Sequence, residues 1–232
     1  MISFIIPTLN EKNNIDITVQ KIEKSISELE SYEIIFVDDK STDGSLEKIK
    51  KLSKNNNNIN YVISKKKMGL GNALSLGQKV SKGDYIFFLD CDNSINLQDL
   101  IKIKNSKQKN KLIIGSRYLK NSRINGVNSL KLFMSKFLNF ILSKYLSISV
   151  RDISHSCRIF PRSIFLKTKN LKHPIFFWEH SLYCDRKGVN IIEIPIKFDE
   201  RKSGKTKNSF FSLIKNICFA FFSIINLKFK YK

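Results

Sequence analysis

Apolar residues along this chain fall into two alternating spacings. Short runs over 2–6, 33–37, 61–64, 85–89, 111–114 and 191–198 have the length and the Ile, Val and Phe content of buried strands. Between and after them, 15–29, 46–52, 72–80, 97–104, 130–146 and 176–187 carry apolar residues at helical spacing. This alternation predicts an α/β fold, Rossmann-like, with a mostly parallel sheet and helices on both faces. Parallel strands need crossover connections, and the crossovers cover both sides. Pro7 is expected to close the first strand, since it has no N–H to give to a ladder. Ser41 or Thr42 is the expected cap of the helix over 46–52. The Asn-rich stretch 54–60 reads as a connector, and 150–161 as a turn leading into a short strand.

The polar residues that end these runs change the picture. Asp38 and Asp39 close the second, and Asp90 and Asp92 close the fourth. Residues two apart on an extended chain point the same way, so Asp90 and Asp92 can converge on one hard cation able to hold a nucleotide diphosphate. In an open α/β sheet, ligands sit outside the carboxyl ends of the strands. The stretch from Lys65 to Gly71 places basic residues and two glycines before a helix, which makes either an anion site or a tight turn.

Composition adds less. A chain of 232 residues suits one large domain, or one domain with an appendage. Lys and Arg number 41 against 20 Asp and Glu, and the net charge of +21 asks for anionic partners. The abundance of Lys, Asn and Ile accounts for part of that excess as a compositional bias. Cys91, Cys157, Cys184 and Cys218 are scattered without a CxxC pair, which suggests reduced thiols in a cytosolic setting. No signal peptide is expected, because residues 1–6 already read as a strand. The helix over 130–146 is amphipathic and carries Lys131, Lys136 and Lys144. Residues 210–229 are strongly apolar but interrupted by Lys215 and Asn216, which suits an interfacial helix better than a spanning one.

Seven stretches, taken together and in order, resemble family 2 glycosyltransferases with a GT-A fold, in the polyprenyl-phosphate, dolichyl-phosphate-mannose-synthase-like branch. They are Ile5 to Glu11, Val37 to Gly44, Gly69-Leu70-Gly71, Gly83-Asp84-Tyr85, Asp90-Cys91-Asp92, Gly115-Ser116-Arg117-Tyr118, and the late loop Arg201 to Lys207. The resemblance covers nearly the whole chain. It implies a GT-A domain over 1–208, with a nucleotide-sugar and metal half over 1–117 and an acceptor half over 118–208. Residues 209–232 would form a membrane-associated helix.

The resemblance also implies roles. Pro7, Thr8, Asn10, Glu11, Asp38, Asp39, Lys67 and Gly69 would bind the nucleotide. Asp90 and Asp92 would hold Mg²⁺ or Mn²⁺. Asp92, Arg117, Lys131, Ser135 and Arg201 would serve catalysis, the last four receiving acceptor and donor phosphates. Arg158, Lys207, Asp152 and Glu179 would lie at the acceptor site, with Asp152 or Glu179 the base if a hydroxyl is the acceptor. The implied reaction is inverting transfer of a hexose, of mannose or glucose type, from a GDP- or UDP-sugar to polyprenyl phosphate. A lipid phosphate is already an anionic nucleophile and needs no base. The enzyme is expected on the cytoplasmic membrane face, peripheral, on an anionic surface and without nucleic acid. The alternatives are transfer to a glycan hydroxyl, or a basic nucleic-acid- or lipid-binding protein on an inactive scaffold. The chain departs from the family pattern at Lys131, where Arg is usual, at Lys67-Met68 before Gly69, and at Asn93-Ser94 after the metal motif. It departs again at Trp178-Glu179 and at Ser154-His155-Ser156-Cys157-Arg158, where the family has Thr-Ser-Gly-Phe-Arg.

Overall fold

A computed structural model describes residues 1–65, 67, 69–92, 94–164 and 175–199. The first half alternates strand and helix as expected: β1 (Ile2–Thr8), α1 (Ile15–Ser25), β2 (Tyr32–Asp38), α2 (Ser45–Asn55), β3 (Ile59–Ile63), α3 (Leu70–Val80), β4 (Tyr85–Phe88), α4 (Leu97–Asn105) and β5 (Lys111–Ser116). The second half holds β6 (Arg123–Asn125), α5 (Ser129–Leu146), β7 (Arg158–Pro161), α6 (Ile175–Arg186), β8 (Asn190–Pro195) and β9 (Lys197–Asp199). Seven strands form one sheet in the order β3-β2-β1-β4-β7-β5-β8, and β6 pairs with β9 in a small second sheet. All pairings are parallel except those of β7, which runs antiparallel between β4 and β5. A β7 pointing the other way brings its entry, not its exit, to the edge where the other strands end.

Side-chain alternation sends each strand's residues into two cores. On one face Ile5, Ile35, Val37, Ile86, Phe88, Leu112 and Ile114 pack with α3, α5 and α6 residues such as Leu74, Leu142 and Trp178. On the other Phe4, Ile6, Ile34, Phe36, Phe87 and Ile113 pack with Val19, Ile22, Ile49, Leu100 and Ile103 of α1, α2 and α4. The sheet is therefore covered on both sides. Among the described residues no helix is long and apolar enough to cross a membrane. The expected tail over 209–232, and the boundary before it, lie outside the described residues.

Several elements differ from the sequence expectation for local reasons. β1 runs through Pro7 to Thr8, with Pro7 opposite Val37 of β2. The proline ring nitrogen falls on the β4 side, past the last paired residue there (Ile5 with Phe88), so no ladder bond is lost. Ser41 and Thr42 do not cap α2. The position before the helix is Gly44 at φ +89°, and Asp43 accepts from the Ser45 N–H at 3.0 Å. α1 stops at Ser25, leaving Leu29 exposed. The run over 191–198 divides at Ile196, whose N–H bonds the carbonyl of Ser116 and whose carbonyl accepts from Arg123. β8 and β9 thus serve different sheets.

Candidate active site

The carboxyl ends of β1, β2, β4 and β5 and the entry to β7 meet along one edge of the sheet, and the sequence-predicted residues gather there. The Thr8 carbonyl accepts from the Asp39 N–H at 2.9 Å, joining the first two strand ends. Asn10, at φ +59°, accepts from the Thr42 N–H at 2.8 Å and donates its own N–H to Ser41 Oγ at 3.0 Å. Ser41 and Thr42 thereby clasp the loop after β1 instead of capping a helix. The Glu11 N–H donates to Ser45 Oγ at 2.9 Å, and its carboxylate accepts from Asn14 at 2.7 Å. Asp39 accepts from the Gly69 N–H at 2.8 Å, which ties the glycine before α3 to the end of β2. Asp38 is fully buried. Its Oδ2 accepts from the N–H groups of Lys40 and Ser41, and Oδ1 has no hydrogen-bond partner among the described residues. Lys67 is exposed on the loop between these elements.

Asp90 and Asp92 follow β4, half-buried, with Cys91 turned inward between them. Burial pushes the Cys91 thiol up to about 12, and the nearby carboxylates of Glu11, Asp92 and Asp90 add to the effect. Asp92 Oδ1 accepts from the Ser94 N–H at 3.1 Å. The loop is pinned further by Lys21 Nζ on the Ile95 carbonyl at 2.7 Å, by the Asp199 N–H on the Ser94 carbonyl at 3.1 Å, and by an Ile95–Phe198 bridge. Among the described residues no group of three or more His, Cys, Asp and Glu side chains is arranged to hold a metal alone. Two hard carboxylates in an otherwise incomplete shell fit Mg²⁺ or Mn²⁺, which is commonly held by one or two carboxylates plus substrate phosphate oxygens.

Farther along the same edge, Arg117 follows β5 and grips Asp152 with two parallel bonds, Nε to Oδ2 at 2.8 Å and Nη2 to Oδ1 at 2.9 Å. The Arg117 N–H adds a third bond to Asp152 at 3.0 Å. Burial pushes the Asp152 carboxyl up, but the guanidinium more than offsets this and holds it below the usual carboxylate range. Burial lowers the Arg117 pKa as well, and the Asp152 charge outweighs it, so the guanidinium stays charged. Its Cζ lies 5.0 Å from the Tyr118 ring centre and 5.6 Å from that of Phe198. Ser154 and Asn139 extend this network onto α5, and Tyr118 reaches Ser135 Oγ at 2.6 Å. Lys131 sits exposed one turn before Ser135.

Arg158 and Glu179, predicted for the acceptor site, are enclosed in the core. Arg158 has no exposed surface and spends its donors on the carbonyls of Ile153, His155 and Phe177 and on Ser181. It shapes the site through the backbone it holds and does not face an acceptor. Glu179 is likewise fully buried, on α6 between Trp178 and His180. Asp152, committed to Arg117 and held ionised, is poorly matched to the work of a base. Arg201 and Lys207 lie outside the described residues. Sequence reading missed Ser156, whose hydroxyl donates to Asp90, and the supports Asn139, Ser154 and Tyr118.

A mostly parallel α/β sheet with two carboxylates and an arginine along one edge defines a GT-A type scaffold. The chain belongs to glycosyl transferase family 2, whose family model matches residues 3–168. It is 27% identical over 209 residues to a dolichol-phosphate mannosyltransferase of Pyrococcus furiosus, covering 89% of this chain and 58% of that protein. It is 25% identical over 227 residues to an undecaprenyl-phosphate 4-deoxy-4-formamido-L-arabinose transferase of Proteus mirabilis, covering 92% of this chain and 64% of that one. The chain therefore spans about three-fifths of the length of these relatives. In fold it is similar to glucosyl-3-phosphoglycerate synthase of Mycobacterium tuberculosis, solved with Mg²⁺ and UDP. That likeness has a TM-score of 0.68 at 16% identity and covers 98% of this chain and 79% of the other.

Proposed function

We propose that this protein is an inverting, metal-dependent glycosyltransferase that moves a hexose from a nucleotide sugar to a polyprenyl phosphate at the cytoplasmic face of a membrane. The observation that carries this reading is the two-sided character of α5. One side of that helix is polar where it meets the site: Ser135 touches Tyr118, and Asn139 and Ser143 are buried. The other side exposes Leu130, Phe133, Phe137, Phe140 and Ile141, with Lys136 and Lys144 among them. A phosphate head in the Arg117 network and a lipid chain along the aromatic stripe would meet the same helix. Names of relatives that act on dolichol phosphate and undecaprenyl phosphate support the acceptor class. The Mg²⁺ and UDP bound by a structural neighbour support the donor and metal.

In the reaction, the loops after β1 and β2, with Thr8, Asn10, Glu11 and Asp39, would hold the nucleoside. Asp90 and Asp92 would hold Mg²⁺ or Mn²⁺, which supplies positive charge to the diphosphate as it leaves. Arg117, kept rigid and charged by Asp152, would orient an acceptor phosphate oxygen behind the anomeric carbon, with Lys131 and Ser135 beside it. The phosphate oxygen–carbon bond forms as the bond from that carbon to the diphosphate breaks, and the nucleoside diphosphate departs. The acceptor is already anionic, so no side chain needs to remove a proton.

The test is transfer of labelled sugar from GDP-mannose and UDP-glucose to undecaprenyl phosphate in anionic vesicles. Transfer should occur with Mg²⁺ or Mn²⁺, stop in EDTA, and fall with the bound fraction when Phe133 and Phe137 become Ser. Removing each buried Phe contact, worth about 1.5–3 kcal/mol, should weaken vesicle binding about tenfold or more. Transfer to a soluble glycan with none to lipid phosphate, or full activity in EDTA, would overturn the reading.

A further inference from the structure

The reversed strand β7 brings a serine to the metal motif. Its register against β4 pairs Phe88 with Arg158, Phe87 with Ile159, Ile86 with Phe160 and Tyr85 with Pro161. Continuing that ladder two residues beyond β4 sets Asp90 opposite Ser156, and the Ser156 hydroxyl donates to Asp90 Oδ2. The serine is itself firmly seated. It lies in the buried stretch 155–161, the next residue's carbonyl accepts from the Gly115 N–H of β5 at 2.9 Å, and Arg158 holds the His155 carbonyl through Nε and Nη2 from within the core.

We infer that Ser156 is a positioning residue for the metal: its hydroxyl locks the Asp90 carboxylate in the orientation that ligates Mg²⁺ or Mn²⁺. This rests on the reading of Asp90 and Asp92 as the metal-holding pair. A carboxylate has about four lone-pair sites, so one donated hydrogen bond leaves capacity for a cation. An aspartate just past a strand end otherwise samples several rotamers, and the cation must overcome that freedom on binding. Asp92 is restrained in parallel by the Ser94 N–H on its Oδ1. Each member of the pair thus has its own donor, one from the reversed strand and one from its own loop. Groups of this kind, which orient metal-binding carboxylates without touching the metal, typically change metal affinity 10–100-fold when removed. The family resemblance implies glycine at this position, where this chain has Ser156.

The experiment is a Mn²⁺ titration of the full chain by electron paramagnetic resonance, with UDP and in parallel with GDP. Parent protein, Ser156→Ala and Ser156→Gly are compared, alongside nucleotide affinity and melting temperature measured in EDTA. The expected result is about tenfold weaker Mn²⁺ binding in both variants, with metal-free nucleotide affinity and melting temperature unchanged. Parent-like Mn²⁺ affinity in either variant overturns the role of Ser156 while leaving the metal reading intact. A loss of Mn²⁺ matched by a loss of metal-free nucleotide affinity or of melting temperature overturns it too, since the serine then serves folding. A parent protein that binds Mn²⁺ with neither nucleotide overturns the metal reading itself, and the inference with it.

Discussion

Arg117 and Asp152 show how a buried pair of side chains limits the chemistry each partner can perform. Asp152 has no exposure and gives both oxygens to one guanidinium, so it acts as the fixed counter-ion that orients Arg117 and not as a base. Breaking a buried pair from one side leaves an uncompensated charge, at a cost of about 3–5 kcal/mol. Asp152→Asn keeps the shape and removes the charge. The variant should lose stability on that scale in urea titration and raise the KM for the phosphate acceptor at least tenfold. Nucleotide affinity by calorimetry should hold. A variant that keeps its acceptor KM and loses only the acidic limb of the pH–rate profile would instead make Asp152 the base.

At the scale of elements, the close seat of α3 on the sheet sets where the loop before it lies. Gly77 makes this seat possible: a Cβ there would stand 2.4 Å from Ile5 Cγ2 and 3.0 Å from Val37 Cγ2, both in strands that lead to the site. Gly77→Ala gains about 1 kcal/mol of helix propensity but incurs overpacking of about 1–3 kcal/mol. The expected outcome is a lower melting temperature, with weaker nucleotide binding as α3 and the Asp39–Gly69 contact shift together. An unchanged melting temperature would show that α3 moves aside freely. Here a glycine matters for the backbone's approach and not for its own dihedral angles.

At the scale of the whole molecule, the interior carries cationic and imidazole groups with little room to titrate. Burial, reinforced by Arg117, lowers the His155 pKa to about 3, and burial with Arg158 lowers that of His180 well below its usual value. Both rings are neutral in the folded protein and titrate near 6.5 when unfolded. The unfolded chain therefore binds more protons below pH 6.5, and the stability these rings contribute is complete above that value and lost as pH falls towards their folded pKa values. By pH 5 the loss from His155 alone is about 2 kcal/mol. Calorimetry should show a melting temperature several degrees lower at pH 5 than at pH 7.5, and His180→Asn, which cannot titrate, should flatten the drop. Equal melting temperatures at the two pH values would contradict the buried neutral state.

Much of this architecture is written in local pattern. Apolar runs of strand length followed by helical spacing are enough to place β1 to β5 and α1 to α4, because each depends on its own periodicity and on the acids or glycines that end it. The same logic put Asp38, Asp39, Asp90, Asp92 and Arg117 at strand ends, and a parallel sheet brings such ends to one edge. The direction and partners of β7 were not legible: its four residues, Arg158 to Pro161, look like any short apolar run. Only the packing of α5, β5 and β4 around them determines that they run backwards. That reversal delivers Asp152, Ser154 and Ser156 to the site, and it turns Arg158 inward to hold carbonyls. Periodicity along a chain specifies which face of an element is buried. Which strand lies beside it, and in which direction, depends on contacts between residues far apart in sequence, such as Asp90 with Ser156 and Arg117 with Asp152, and these exist only once the sheet is assembled.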